Sequence, residues 1–344
     1  MFTETAILAP TSFQQVTIMS TTLIIGAGAV GCVMASYLQR HGEPVCFMVP
    51  TERLAEMAKV SHLRLDDNVA EKVHLSSAPR VVDRLPKAIS RVIVATKNSA
   101  LDTVINQLAD LPASVPVIST LNGVSHLRKL RNAFPKHDVT AATVMFNTQT
   151  IAPLHANLNT VAVVHMPPSA STALFLAAGF TVLPWDEAMF NGKLVFNVVN
   201  ALGALTDTAL NTAMSDPQLA ACFVAAIVEA GHCVQEAKLP FTMVGALSFA
   251  DYEAALKDPS ASVLSILPPG GKTPRELKAS MISDLERGRP TEINELNGEI
   301  EALGKAIGFP TPINSTLIAL VNKRTSGQIG VINTPDLRLA LGLK

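Results

Sequence analysis

An α/β domain built on a doubly wound parallel sheet, followed by an all-α domain, is the fold class this sequence predicts, and three observations carry it. The first half alternates short, nearly all-apolar runs with helical patches, the pattern of strands buried on both faces of a parallel sheet. A glycine-rich turn separates the first apolar run from the first helix. Strand signals stop after Trp185, and from Asp186 to Lys344 the periodicity is helical, broken by LPPGGKTP, GRPTE and GFPTP.

In order, TTLIIG from Thr21 reads as a strand, Val30 to Arg40 as a helix, PVCFMV as a strand, then a further helical patch, and RVIVAT and VPVIST as two more strands. TAATVMFN, TVAVVHM and FTVLPW suggest that the same sheet continues, with antiparallel strands at its edge. At 344 residues the chain exceeds what one core usually serves, so the expected division is an extension over 1–20, a sheet domain over 21–185 and a helical domain over 186–344. The cleft between the domains is the default ligand site.

Composition removes several function classes. A formal net charge of −1 without long runs of like charge offers no electrostatic footprint for nucleic acid. Cys32, Cys46, Cys222 and Cys233 form no C-x-x-C pair, and the eight histidines form no H-E-x-x-H, so neither a disulfide framework nor a metal site is expected. Apolar runs such as LAACFVAAIVEAG meet a charge before the roughly 20 residues a membrane span needs. The first twenty residues hold Glu4 and no Lys or Arg, unlike a signal peptide, and a cytoplasmic protein with reduced cysteines is expected.

LIIGAGAVG places Gly26, Gly28 and Gly31 in a G-x-G-x-x-G pattern after a strand and before a helix. The first glycine permits the tight turn, the second lets the backbone approach a pyrophosphate, and the third allows close helix–strand packing, with the phosphates on the helix N-terminus. The sheet domain is therefore of Rossmann type. Its second strand ends in FMVPTER, without the acid that would bind the ribose of NAD, and Arg53 lies just beyond, able to meet a 2′-phosphate. The same arginine can be a solvated charge at a helix start. Lys97 in ATKNS and Asn122 in TLNGVS follow two later strands at the ligand-binding edge, although Lys97 cannot be told from a surface lysine there, nor Asn122 from a turn residue.

In the helical half, KLVFNVVN sets Lys193, Asn197 and Asn200 at i, i+4 and i+7, one polar face on an apolar helix. Far downstream, LKASMISDLERGRPTEINELNG carries Ser280 and Asp284 one turn apart, a Gly288 and Pro290 break, and Glu292 opening a further helix. Singly, Lys193 can snorkel to water and Glu292 can complement a helix dipole. Beside a dinucleotide domain, they form a cationic acid, a carboxylate to orient it, and amides and a hydroxyl for an oxygen-rich substrate.

GAGAVG, LNG, KLVFNVVN and SMISDLERGRPTEINELNG, in this order and at these separations, resemble the ketopantoate reductase (2-dehydropantoate 2-reductase) family from Thr21 onward. The resemblance implies an NADPH-binding Rossmann domain, a helical domain of the 6-phosphogluconate dehydrogenase C-terminal type, and reduction of 2-dehydropantoate to (R)-pantoate on the route to pantothenate. It implies Lys193 as general acid with Glu292 beside it. Asn122 matches a residue contacting cofactor and substrate, Asn197, Asn211 and Ser280 match substrate positions, and Asn147 matches a cofactor contact. The implied partner is a small 2-oxo acid, and a homodimer is compatible. Two departures stand out: Asn200 follows Asn197 by three residues where many members have four, leaving Ala201 in the expected place, and Leu121 occupies a position that is commonly polar. They leave open a reductase for another small 2-oxo acid.

Overall fold

The computed structural model describes residues 20–213, 216–245, 247–257 and 279–343. The extension expected before Thr21 lies outside them except for Ser20, as does the side chain of Asn211. The chain opens with β1 (Thr21–Ile25), α1 (Ala29–Arg40), β2 (Val45–Met48), α2 (Thr51–Met57), β3 (His62–Asp67), β4 (Lys72–Ser77), β5 (Arg80–Val82) and β6 (Ile89–Val94). A short 3₁₀ turn, Asn98–Ala100, leads into α3 (Leu101–Gln107), followed by β7 (Val117–Ser119), α4 (Ser125–Ala133) and β8 (Val139–Ala141).

The main sheet has six strands in the order β5-β2-β1-β6-β7-β8, every pair parallel. Counted within the sheet this is the 3-2-1-4-5-6 order of a dinucleotide-binding fold, and the order reverses between β1 and β6, where such sheets open a ligand crevice. Alternate residues of each strand supply the two faces. Ile24, Phe47, Ile93 and Ile118 enter one core with α1, while Leu23, Ile25, Met48, Val92 and Val94 enter the other with α3 and α4. That two-sided burial is why these strands read as unbroken apolar runs.

The later strands do not extend this sheet as expected. After β8 the chain leaves it, and β9 (Thr143–Val144) pairs antiparallel with β12 (Val163–Met166), which pairs with β13 (Thr181–Pro184), in a separate three-stranded sheet. A second small sheet, β10-β11-β3-β4, joins β10 (Thr148–Ala152) and β11 (His155–Leu158) to the β3-β4 hairpin. In β3 only alternate residues are apolar, Leu63 and Leu65 being buried against α1 between polar neighbours, so no apolar run announces it. Helix α5 (Ala170–Ala177) closes this part.

The remaining elements are helices: α6 (Glu187–Asn197), α7 (Asn200–Thr206), α8 (Leu210–Ala213), α9 (Pro217–Glu236), α10 (Phe249–Lys257), α11 (Ser280–Glu286), α12 (Asn297–Ile307), α13 (Pro312–Thr325) and α14 (Thr334–Ala340). They pack around α9, whose first turn is set by the Asp216 cap on the Gln218 amide and by Pro217. Helix α9, and α6 with α7 taken together, each reach the 20 residues and hydropathy of a membrane span, contrary to the reading that charge interrupts them sooner. Each is 72% buried inside the fold, as a core helix is. The first turn of α6 belongs to the sheet domain's packing, because Phe190 sits in that core against Trp185.

Candidate active site between the domains

At the glycine turn, Gly26 takes φ +103°, and a Cβ there would lie 2.7 Å from the Ala95 carbonyl oxygen. A Cβ on Gly31 would meet the Gly26 oxygen at 2.1 Å, so α1 rests on the strand turn only because Gly31 lacks a side chain, as Gly26 must for the turn to lie against the end of β6. Gly28 differs, since a Cβ there would meet nothing within 4 Å. It caps α1 without a side-chain hydrogen bond and leaves open space over the first N–H groups. The Thr96 hydroxyl, at the carboxyl end of β6, is buried and has no partner among the described residues. These residues fit a dinucleotide: open space at Gly28, uncapped amides and an orphan hydroxyl at the crevice. No acidic residue stands at the tip of β2, where Val49-Pro50 leads into α2. Arg53 lies half-buried in α2, pairs with Glu56 at 3.5 Å, and acts electrostatically on Cys32 in the first turn of α1.

The chemistry-bearing groups meet where the loops after β6 and β7 face the helical domain. Lys193, in the middle of α6, donates to Asn122 Oδ1 at 3.1 Å. The Asn122 amide nitrogen donates to Glu292 Oε2 at 3.3 Å. Lys97 donates to the same Glu292 oxygen at 3.2 Å and to Asp284 Oδ2 at 3.0 Å. Asn98 links the two loops, donating to the Asn122 carbonyl at 2.9 Å and reaching Glu292 Oε1 at 3.5 Å. Glu292 and Asp284 are 4% and 5% exposed, so two buried carboxylates balance two ammonium groups.

Glu292 does not open a helix. It occupies the turn before α12, and its carboxylate points inward to lysine and asparagine rather than along a helix dipole. The turn is held against the Asn122 loop by Gly123. At φ +81° a Cβ on Gly123 would lie 2.4 Å from the Glu295 carbonyl oxygen, so only glycine permits the approach. Glu299 of α12 completes the junction by accepting the Val124 and Ser125 amides at 2.8 and 3.0 Å, a carboxylate on the uncapped start of α4. From the other side, Asn191 of α6 donates to the Pro240 carbonyl, and Thr242 N to the Ala188 carbonyl, which pins the helix that carries Lys193.

Burial and charge pull the two lysines apart. Desolvation lowers the Lys193 ammonium from 10.5 to about 8, only partly opposed by Glu292. Desolvation also works against Lys97, but Glu292 and Asp284 outweigh it and hold that amine above its ordinary value. Burial raises Asp284, with Lys97 opposing. One lysine is thus a fixed countercharge, and the other loses its proton more readily than an ordinary lysine.

The expected face of Lys193, Asn197 and Asn200 is broken. Helix α6 ends at Asn197 and α7 begins at Asn200, with i→i+3 bonds such as Leu202 N to the Val199 carbonyl across the junction, so Asn200 loses its i+7 phase. Asn197 stays one turn beyond Lys193, half-buried. Ser280 starts α11 one turn before Asp284 and is also half-buried. Neither Asn197 nor Ser280 shows a side-chain hydrogen bond to another described residue. Asn147 joins a different group, accepting from Asn159 Nδ2 at 2.8 Å beside the small sheet. Nothing local in ATKNS marks Asn98 as reaching the Asn122 loop, and nothing in the sequence around Glu299 marks its reach to α4.

A parallel sheet with a dinucleotide turn, facing a helical domain that contributes a half-buried lysine and a buried glutamate, defines a two-domain oxidoreductase of the nicotinamide-dependent class. The chain belongs to the ketopantoate reductase family: residues 22–170 match the model described as Ketopantoate reductase PanE/ApbA, and 188–325 match its C-terminal counterpart. It is similar to the 2-dehydropantoate 2-reductase of Aquifex aeolicus, with 23% identity over 88% of this chain and 96% of that one. Among solved structures, a PanE/ApbA family ketopantoate reductase from Ralstonia eutropha JMP134 superposes with TM-score 0.73 at 24% identity, covering 90% of this chain and 99% of the other. A ternary structure of D-mandelate dehydrogenase with NADH and anilino(oxo)acetate gives 0.74 at 19%, covering 89% and 99%.

Proposed function

We propose that this chain is an NADPH-dependent reductase that converts 2-dehydropantoate to (R)-pantoate, the step that serves pantothenate synthesis, with Lys193 as general acid. The observation that carries the reading is the desolvated Lys193 ammonium held 3.1 Å from Asn122 Oδ1, with the buried Glu292 on the far side of the same amide. The dinucleotide, when bound, supplies the hydride for the C2 ketone. Lys193 stabilises the oxygen on which negative charge develops and then gives it a proton. Glu292 orients Lys193 through Asn122 and holds Lys97, while Asn197, Asn211 and Ser280 bind the polar ends of the substrate. Gly26, Gly28 and Gly31 hold the pyrophosphate, Lys97, Asn122 and Asn147 contact the cofactor, and Arg53, half-buried next to α1, meets the 2′-phosphate that separates NADPH from NADH. The two domains, 21–185 and 186–344, close over the pair.

A second reading, reduction of another small 2-oxo acid, draws on the likeness to D-mandelate dehydrogenase, which was solved with NADH. Leu121 and Ala201, the two departures from the family pattern, lend it no weight. Both side chains pack in hydrophobic cores, 5% and 0% exposed. NADPH oxidation followed optically across a panel of 2-oxo acids separates the readings. Turnover selective for 2-dehydropantoate, lost on the order of 10²–10⁴-fold in Lys193→Ala, is the expected result. Faster turnover of an aryl or branched 2-oxo acid hands the function to the second reading, and an unimpaired Lys193→Ala removes the assigned acid.

A further inference from the structure

His126 stands in the second position of α4, four residues after Asn122, and is 2% exposed. Neither Nδ1 nor Nε2 completes a hydrogen bond with any described residue. Its ring meets Phe190 edge-on at 5.9 Å, and Phe190 lies one turn before Lys193 on α6. The Lys193 charge acts on the imidazole, and the Asn122 backbone approaches it as an acceptor without completing hydrogen-bond geometry. Burial first, then Lys193, drives the ring down to about 4, so His126 is neutral wherever the enzyme would work. A leucine would fill the same apolar space without the desolvation cost of a ring with at least one unpaired nitrogen. The imidazole therefore needs a reason beyond packing.

A lysine ammonium has three N–H donors. Asn122 Oδ1 takes one, and in the proposed reaction the substrate ketone takes a second. We propose that His126 is a positioning residue for Lys193, a neutral acceptor that takes the third N–H and aims the ammonium at the substrate oxygen. The chemistry of the acceptor matters. A carboxylate in this place would hold the amine charged and weaken it as an acid, while an apolar side chain would leave a buried donor unpaired. An imidazole kept neutral does neither. The inference rests on the assignment of Lys193 as the acid.

The test compares His126→Leu and His126→Gln, using the 2-oxo acid that turns over fastest. Loss of an acceptor disfavours the charged amine, so in His126→Leu the alkaline limb of kcat/KM moves to lower pH. Its kcat falls roughly tenfold to a hundredfold, as for a lost hydrogen bond to a charged group, while KM for NADPH holds. His126→Gln keeps an acceptor and restores the limb. A His126→Leu profile that superimposes on wild type, or a Gln variant as impaired as Leu, overturns the proposal. Ring ¹⁵N shifts of His126 in wild type and Lys193→Met need no substrate and no His126 variant. An acceptor nitrogen that changes when the lysine is removed supports the pairing, and an unchanged ring defeats it. If no 2-oxo acid is reduced, the proposed function fails by itself, and the ¹⁵N comparison still decides the role of His126.

Discussion

The proposed general acid needs a pKa close to the working range to donate a proton near neutrality, and desolvation lowers the Lys193 amine from 10.5 to about 8. The active form is the ammonium, so kcat/KM for the free enzyme should be flat below about 8 and fall tenfold per pH unit above it. A pH–rate profile checks this, and a limb near 10.5 would show an undisturbed amine. The same shift has a stability consequence of opposite sign. A lysine with a depressed folded-state pKa contributes stability that is present above the unfolded value and lost as pH falls through about 8. At neutral pH the buried charge is therefore a liability. Lys193→Met should melt higher than wild type at pH 7, by about 2–4 °C for each kcal/mol recovered, while turnover collapses. Calorimetry and the optical assay on one preparation test both halves, and the gap in melting temperature should close toward pH 10.

At the scale of elements, the site depends on how closely the β7–α4 loop lies against the turn before α12. Gly123→Ala puts a methyl group 2.4 Å from the Glu295 carbonyl at a backbone φ of +81°, which costs roughly 1–3 kcal/mol in strain before any clash. Asn122 must move with it, so activity should fall further than the melting temperature suggests, and a variant that is merely less stable would place the loop elsewhere. This junction was half legible in the text. Gly26, Gly28, Gly31 and Asn122-Gly123 stand out because backbone constraints are local, and Lys193 because a charge interrupts an apolar helix. The main-sheet strands β1, β2, β6 and β7 were readable because burial on both faces leaves continuous apolar runs. The β3-β4 hairpin is not legible because one-sided burial leaves only alternation, Leu63 and Leu65 among polar residues. The break between α6 and α7 carries no proline or glycine, so Asn200 appeared in phase with Lys193 when it is not. Glu299 meets its partners Val124 and Ser125 more than a hundred residues away, and such pairings are written in the fold.

Across the whole molecule, Lys97 ties the sheet domain to the helical domain through two carboxylates, Asp284 at 3.0 Å and Glu292 at 3.2 Å. Removing the lysine leaves two buried negative charges facing each other. Breaking a buried pair in this way costs about 3–5 kcal/mol, and Lys97 retains 39% exposure, so solvent screens part of it. The pH dependence identifies the cause. Burial already holds Asp284 above the usual carboxylate range, with Lys97 pulling it down, so without Lys97 its pKa rises further. A carboxylate with a raised folded-state pKa contributes stability that is present below its unfolded value and lost as pH rises through the folded one. Lys97→Met should accordingly melt well below wild type at pH 8, and the difference should shrink as the solution is acidified and Asp284 takes up a proton. Lys97→Met combined with Asp284→Asn should recover much of the loss at pH 8, since the orphaned charge is then gone. Melting curves of the three proteins at two pH values decide the matter. A deficit independent of pH, or a double variant no better than the single one, would mean that Lys97 contributes packing and not the charge that joins the domains.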